Sequence, residues 1–140
     1  MILLDANLLI YASASETAQH AEAKAWLDER LNGSTRIGLP WPSLLAFMRI
    51  VSNPRLFEGA SLSLARSQVQ AWLESPRTWI PGPTEEHAGI LAGLLEKESS
   101  HRLVPDAHLA ALALEHGLVL CSSDRDFARF PQLRWENPLA

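Results

Sequence analysis

Two short apolar runs that each lead to an acidic residue are the feature that most constrains this chain. Ile2–Leu4 is followed directly by Asp5, and residues 118–121 are followed, after two serines, by Asp124. An uninterrupted apolar run of this kind is typical of a strand buried on both faces of a parallel sheet. An unpaired carboxylate inside such a core is very costly. We therefore expect both acids to lie where their strands end, at an edge of the sheet that faces a cleft.

The segments between these runs have the periodicity of helices. Apolar residues recur every three or four positions, Gly33 and Gly117 are placed to end helices, and Pro42 suits a first helical turn. These signals predict helices at about residues 6–12, 17–31, 43–51, 62–73, 84–95 and 106–116, and strands at 2–4, 35–39, 78–80, 118–121 and 133–136. Strands that alternate with helices predict the α/β class, with a central, mostly parallel sheet flanked by helices.

Length and composition are those of one ordinary domain spanning residues 1–140. A chain of this size with 47% hydrophobic residues can bury a substantial core. No apolar stretch approaches the roughly 20 residues that span a membrane, and the amino terminus lacks the basic residues of a secretory signal, so we expect a cytoplasmic protein. The net charge of -4 argues against general binding to nucleic acid or to anionic membranes. The single cysteine, Cys121, excludes an internal disulfide and argues against a cysteine-based zinc site.

Four acidic residues are expected at the edge where the strands end. In open parallel sheets, ligands bind in the crevice outside the carboxyl ends of the strands. Asp5, Asp124 and Asp126 follow two such strands, and Asp106 opens the apolar helix that precedes the second one. If these carboxylates converge, they repel one another unless a cation neutralises them. Oxygen ligands without cysteine favour Mg²⁺ or Mn²⁺, and such an ion could activate a water for phosphodiester hydrolysis.

Each acid also has a simple structural interpretation. Asp5 and Asp124 could be helix N-caps, because Asp accepts hydrogen bonds from free amides at that position. Asp106 and Asp126 could stand in the first turn of their helices, where the helix dipole favours a negative charge. Asn7 is neutral and could orient Asp5 or a metal-bound water. The residues leave these alternatives open, and the repeated placement of acids at one edge favours a shared site.

Other familiar catalytic patterns are absent from the sequence. The five histidines form no HExxH pair, and no GxGxxG, P-loop or GxSxG pattern occurs. A receiver-like signalling domain is a further alternative, because such domains also cluster acids at strand ends. It would need a lysine near a phosphoaccepting aspartate, and neither Lys24 nor Lys97 stands near a suitable strand end.

Three segments together resemble a known family over essentially the whole chain. ILLDANLLIY, LVPDAHLAALALEHG and LVLCSSDRDFARFP, in this order, are similar to the motifs of PIN-domain ribonucleases, specifically the VapC-type toxins of type II toxin–antitoxin systems. The resemblance implies a single PIN-like α/β/α sandwich and Mg²⁺- or Mn²⁺-dependent endonucleolytic cleavage of RNA that leaves a 5′-phosphate and a 3′-hydroxyl. It also implies a homodimer, which forms a heterotetramer or larger assembly with a VapB-type antitoxin whose carboxyl-terminal segment lies across the active site.

The resemblance assigns roles to individual residues. Asp5, Asp106 and Asp124 match the catalytic metal-binding acids, Asp126 matches an accessory metal-binding acid, and Asn7 matches a polar position that supports the first aspartate. The chain is therefore expected to be an endoribonuclease toxin that cleaves structured RNA, either tRNA or ribosomal RNA, by means of a metal-activated water.

Arginine is a suitable partner for such a substrate, because its planar fork matches phosphate and stacks on unpaired bases. Ten of the twelve basic residues are arginine. Arg125, Arg49 and Arg102 are the candidates for RNA binding, and a solvated surface role is the alternative for each.

One position departs from the family pattern. The family usually has a glutamate on the helix after the second strand, where this chain reads SLLAFMRI and has Phe47. No acid lies between Arg30 and Glu58, so no neighbour on that helix replaces it. Asp126 could compensate, or one metal ion could suffice. The alternative function is a catalytically weak PIN-like module that binds RNA and docks the antitoxin.

Overall fold

The computed structural model describes all 140 residues, and its central feature is a five-stranded sheet in which every neighbouring pair of strands is parallel. The strands are β1 (Ile2–Leu4), β2 (Ile37–Gly38), β3 (Thr78–Trp79), β4 (Val119–Cys121) and β5 (Trp135–Glu136). Their order across the sheet is β3-β2-β1-β4-β5. The two strands that lead to acids are therefore central neighbours, with Leu4 paired to Cys121.

Six α-helices cover the two faces of the sheet. They are α1 (Ala6–Ser13), α2 (His20–Leu31), α3 (Trp41–Val51), α4 (Leu62–Glu74), α5 (His87–Leu95) and α6 (Val104–His116). Helices α1 to α4 contribute to one buried cluster, and α5 and α6 contribute to the other. The predicted α/β/α arrangement with a parallel sheet is confirmed.

The strands alternate their side chains between these two cores. Leu4 and Cys121 belong to the cluster under α1 to α4, whereas Leu3 and Leu120 belong to the cluster under α5 and α6. Because both faces of a central strand are covered, each strand reads as an unbroken apolar run. Helix α6 is apolar on most sides for the same reason, and it buries five residues in succession from Leu109 to Ala113.

Two helices begin later than the sequence predicts. Helix α2 begins at His20 rather than Thr17, because the hydroxyl and the amide of Thr17 both bond to the Ala14 carbonyl in a turn before the helix. Helix α5 begins at His87 rather than Thr84, whose amide and hydroxyl instead donate to the Glu115 carboxylate on α6. No helix combines the length and apolar character that crossing a bilayer requires.

The topology decides what meets at one edge of the sheet. Helix α6 precedes β4 and runs back along the sheet, so its first turn lies beside the carboxyl ends of β1 and β4. Gly117 ends this helix in the left-handed conformation, with φ of 66°, and lets the chain turn directly into β4. The edge formed by the ends of β1 and β4 and the start of α6 is called the acidic edge below.

Candidate metal centre

Three carboxylates converge at the acidic edge. One oxygen from each of Asp106, Asp124 and Asp126 lies within 4.8 Å of the other two. Asp106 stands in the first turn of α6. Asp124 caps the 3-10 helix Arg125–Arg129 by accepting the Asp126 amide at 2.9 Å, and Asp126 stands in the first turn of that helix. Asp124 is thus a helix cap, and Asp106 and Asp126 stand in first turns, as the structural interpretation of each acid predicted. These same positions bring the three carboxylates close together.

Asp5 lies beside this trio but is held differently. Its Oδ1 accepts the Ala6 amide at 2.8 Å, so it caps α1, and its Oδ2 accepts the Ser122 hydroxyl at 2.7 Å. Both oxygens therefore have a protein donor. Asp5 is close enough for its charge to raise the pKa of Asp106.

Burial and mutual repulsion shape the electrostatics of the acidic edge. The pKa of Asp106 is raised to about 6, first by burial and then by the charges of Asp124, Asp5 and Asp126. Burial also raises the pKa of Asp5, against the opposing effect of its hydrogen bonds from Ser122 and Ala6. No basic side chain contributes a compensating charge to either group.

Ser122 is the residue that ties the acids together, and sequence reasoning missed it. Its fully buried hydroxyl donates to Asp5 Oδ2 and accepts both the Asn7 side-chain amide and the Asp124 backbone amide, each at 3.0 Å. One hydroxyl thus fixes the acid after β1 relative to the acid after β4. The only sequence signal was a serine directly after the apolar strand and two residues before Asp124.

Ser122 is itself anchored by the neighbouring strand. Its amide donates to the Glu136 carbonyl at 3.0 Å, and its carbonyl accepts the Trp135 indole N–H at 3.0 Å. Asn7 adds a third tie, because its side-chain oxygen accepts the Ser123 amide at 3.4 Å. Asn7 therefore reaches Asp5 only through Ser122, rather than by direct contact.

Phe47 lies in the core, not at the acidic edge. Its side chain is 1% exposed and packs edge-on against Trp72, with ring centroids 4.8 Å apart. Phe47 is therefore part of the core, and α3 supplies no carboxylate to the centre.

The three candidate arginines are exposed, and they occupy different places. Arg125 stands between Asp124 and Asp126, and Arg102 lies in the 3-10 helix His101–Leu103 that leads into α6. Arg49 is in the last turn of α3, roughly 12 Å along the axis from the first residue of that helix. Two of the three arginines thus adjoin the acidic edge in the chain.

The donor set at the acidic edge suits a hard divalent cation. All the donors are carboxylate oxygens, they repel one another, and no cationic side chain neutralises them. In an octahedral Mg²⁺ site with bonds of about 2.0–2.1 Å, opposite oxygens lie roughly 4.2 Å apart. Only one pair of the three acids can be opposite, and adjacent oxygens lie roughly 2.9 Å apart, so the carboxylates would need to draw closer together or to be linked through the waters that Mg²⁺ retains.

Comparison with known proteins gives a consistent result. The PIN domain profile matches residues 2–133. The chain is 42% identical over 142 residues to ribonuclease VapC37 of Mycobacterium tuberculosis, an alignment that covers 100% of this chain and 99% of that protein. Among solved structures, VapBC2 from Rickettsia felis bound to a promoter DNA fragment matches with a TM-score of 0.71 at 20% identity, covering 98% of each chain. The sarcin-ricin loop cleaving toxin VapC20 of Mycobacterium tuberculosis matches with a TM-score of 0.66 at 18% identity, covering 91% of this chain and 93% of that one.

Proposed function

The chain belongs to the PIN domain family and, within it, to the VapC ribonucleases, and from this premise we propose that it is a Mg²⁺-dependent endoribonuclease, the toxin of a VapBC-type toxin–antitoxin pair. The observation that carries the proposal is the convergence of Asp106, Asp124 and Asp126 at the acidic edge, with Asp5 beside them. Mn²⁺ has the same ligand preferences and is expected to substitute for Mg²⁺.

In this proposal Asp5, Asp106 and Asp124 hold the cation, and Asp126 is an accessory metal-binding acid. A divalent cation bound there lowers the pKa of a coordinated water and offsets charge on a phosphoryl oxygen. Ser122 keeps Asp5 and the Asp124 backbone in fixed relation, so the site is organised before substrate arrives. Arg125, between two of the acids and exposed, is positioned to hold an RNA phosphate.

We further propose that one cation binds per chain. The acid that the family usually places on α3 is replaced by Phe47, whose side chain is buried against Trp72. Calorimetric titration with Mn²⁺ should give a stoichiometry of one per chain in wild type and none in Asp124→Asn. A stoichiometry of two in wild type would show that other groups replace the missing glutamate.

The substrate is proposed to be structured RNA, either tRNA or ribosomal RNA. The fold relative VapC20 is described as a sarcin-ricin loop cleaving toxin, which supports a ribosomal RNA loop as a candidate. Because the chain has a net charge of -4, RNA affinity must come from local groups such as Arg125 and Arg102. Binding should therefore weaken steeply with salt, since each phosphate contact releases counterions.

The partner is proposed to be a VapB-type antitoxin, and the working unit a homodimer that joins it in a heterotetramer or larger assembly. A cleft of about 330 Å³ lies between the end of α1, the end of α3 and the start of α4. Phe57 and Leu64 are among its lining residues, and Leu64 is 66% exposed. In this proposal the carboxyl-terminal segment of the antitoxin lies across the acidic edge, and an apolar part of the antitoxin covers this cleft. Light scattering of the purified chain with and without antitoxin measures the assembly.

Metal-dependent RNA cleavage tests the proposal directly. We expect the purified protein to cut RNA with Mg²⁺ or Mn²⁺ but not with EDTA, and sequencing of cleaved ends in total RNA should reveal the target. Asp124→Asn should abolish cleavage, whereas Asp28→Asn, which alters an exposed acid paired with Lys24 far from the acidic edge in the sequence, should not. Cleavage that continues in EDTA and in Asp124→Asn would overturn the proposal.

The buried Phe47 favours one second candidate, a catalytically weak module that binds RNA and docks the antitoxin. Under this candidate the purified chain binds RNA and antitoxin tightly, and cleavage with Mg²⁺ or Mn²⁺ does not exceed that of Asp124→Asn. The same experiment therefore decides between the two functions.

A further inference from the structure

A second cluster of polar side chains joins α5 to α6, outside the acidic edge. His87, the first residue of α5, places its Nε2 3.0 Å from Nδ1 of His108 on α6. The other ring nitrogen of His87, Nδ1, lies 2.5 Å from the Glu115 carboxylate, seven residues beyond His108 on the same helix. We call His87 and His108 the histidine pair.

The Glu115 carboxylate accepts three hydrogen bonds. Its side chain is fully buried, and its Oε1 accepts both the amide and the hydroxyl of Thr84, at 2.7 and 2.8 Å. Burial by itself raises the pKa of Glu115, but the hydrogen bonds from Thr84 and His87 outweigh it and hold that pKa below its ordinary value. Glu115 is therefore an anion, and its other oxygen, Oε2, accepts a hydrogen bond from His87.

This anion determines which nitrogen of His87 carries hydrogen. His87 Nδ1 donates to Glu115, so in neutral His87 the Nε2 atom has a free lone pair that faces His108. The combination of a carboxylate, a histidine and a lone pair directed away from the carboxylate is the arrangement that orients histidine ligands in metal sites. When both rings are neutral and no metal is bound, His108 Nδ1–H donates to that lone pair.

The spacing of the two nitrogens suits a shared cation. Two imidazole nitrogens on one tetrahedral Zn²⁺, with bonds of about 2.0–2.1 Å, lie roughly 3.3 Å apart. The observed separation is 3.0 Å, and the rings meet at 71° with their centroids 4.8 Å apart. The nitrogens would need to separate by a few tenths of an ångström, and both rings would need to turn so that their lone pairs converge on the cation instead of pointing at each other.

We propose that the histidine pair is a second metal site, which binds a borderline transition-metal cation such as Zn²⁺ through His87 Nε2 and His108 Nδ1. Glu115 orients His87, and water completes the coordination. Binding moves the hydrogen of His108 from Nδ1 to Nε2, so both ligand atoms present lone pairs. Nitrogen donors select Zn²⁺, Ni²⁺ or Cu²⁺ over Mg²⁺, so this site and the acidic edge take different classes of ion. A bound ion links the start of α5 to α6 and stabilises the folded chain.

Titration of Zn²⁺ into the full-length, tag-free chain tests this proposal. Saturating Mg²⁺ should be present to occupy the acidic edge, and calorimetry should then report one Zn²⁺ per chain. His87→Gln and His108→Gln retain hydrogen-bonding groups but lose the imidazole ligand, and each should weaken Zn²⁺ binding at least tenfold. His20→Gln is the matched control, because His20 bonds only to the Tyr11 carbonyl elsewhere in the chain, and it should bind Zn²⁺ as wild type does.

Two further variants separate the histidine pair from the acidic edge. Glu115→Gln should weaken Zn²⁺ binding about tenfold, at the lower end of the effect of losing a group that orients a ligand. Asp124→Asn should leave Zn²⁺ binding unchanged while it removes Mn²⁺ binding. Circular dichroism should first establish that each variant is folded. Absence of Zn²⁺ binding in wild type, or equal binding in folded His87→Gln and His108→Gln, would overturn the proposal and leave the pair as a hydrogen-bonded tie between helices.

Discussion

Helix α6 has an acid near each end, and the two acids have opposite environments. Asp106 in its first turn has three acidic neighbours, and its pKa is raised to about 6. Glu115 near the other end is fully buried, yet three donors from Thr84 and His87 lower its pKa. Burial alone pushes both pKa values upward, so the difference in direction comes from the neighbours: hydrogen-bond donors and the charge of His87 at Glu115, and like charges at Asp106.

In the proposed function, this difference separates Glu115, which ties α5 to α6, from Asp106, which binds a cation. Hydrogen bonds from Thr84 and His87 stabilise the charged form of the Glu115 carboxylate within the protein. Asp106 receives no hydrogen bond that lowers its pKa, and it faces like charges, so in the proposed function a bound cation supplies the compensating charge. Asp5 is intermediate between Asp106 and Glu115. It accepts two hydrogen bonds, yet burial still destabilises its charged form and raises its pKa.

Removing the charge of Asp106 should have the largest effect on activity. In the proposed mechanism Asp106→Asn deletes a cation ligand, and we expect kcat/KM for RNA cleavage to fall at least a hundredfold, which is about 2.7 kcal/mol of transition-state stabilisation. Asp28→Asn provides the control for a neutralised acid elsewhere. If Asp106→Asn cleaved RNA at the wild-type rate, Asp106 would not be a ligand of the catalytic cation.

The acids were predictable from sequence because position in the chain decides their location. A parallel strand must end at the carboxyl edge, so acids directly after β1 and β4 had to meet there once these strands were neighbours. Asp106 followed from the same logic, because the helix before β4 must return to that edge. The sequence left the role of Phe47 open, and the structure places its side chain in the core.

The side-chain networks were not predictable, because they depend on distances of a few tenths of an ångström. Ser122 could have been a solvated loop residue, and nothing in the letters SSD indicates that one hydroxyl bridges Asp5, Asn7 and Asp124. The contact between His87 and His108 joins residues 21 positions apart on different helices. Only the spacing of His108 and Glu115, two turns apart on one helix face, was visible in the sequence.

Ser122→Ala removes one of the two hydrogen bonds that stabilise the charged form of Asp5, which makes the environment of Asp5 more like that of Asp106. It also leaves the Asn7 and Asp124 amides without their acceptor. We expect Mn²⁺ affinity at the acidic edge to fall about tenfold to a hundredfold, as for other groups that orient ligands. Ser43→Ala is the matched control, since Ser43 is the other buried serine and bonds only to the Leu4 carbonyl.

The opposite pKa directions predict opposite effects on stability. An acid whose folded pKa is raised destabilises the fold as pH rises through that interval, so the metal-free chain should lose stability between about pH 4 and pH 6 through Asp106. Asp106→Asn should remove this loss and raise the free energy of unfolding at pH 7.5 by about 1 kcal/mol, after allowance for solvent screening of a half-exposed group. Glu115→Gln should lower it by about 1–2 kcal/mol, because a charge-assisted hydrogen bond is lost. Urea denaturation across pH, with EDTA and with Mg²⁺, measures the change in the free energy of unfolding for each variant. If both variants raised it or both lowered it, the proposed difference between Asp106 and Glu115 would be wrong.

The smallest expected effect comes from the indole that supports Ser122. Trp135→Phe keeps the packing of an aromatic ring on β5 but removes the N–H that bonds to the Ser122 carbonyl. Trp79→Phe is a close control, because the Trp79 indole N–H is buried without a hydrogen-bond partner. We expect Trp135→Phe to weaken Mn²⁺ binding twofold to threefold and to speed hydrogen exchange at the Asp124 amide, while Trp79→Phe changes neither. Since the Asp124 amide bonds to the Ser122 hydroxyl, faster exchange there would show that β5 holds the acids in place through Ser122. Unchanged exchange and affinity in Trp135→Phe would mean that the Glu136 carbonyl and Asn7 suffice to hold that serine.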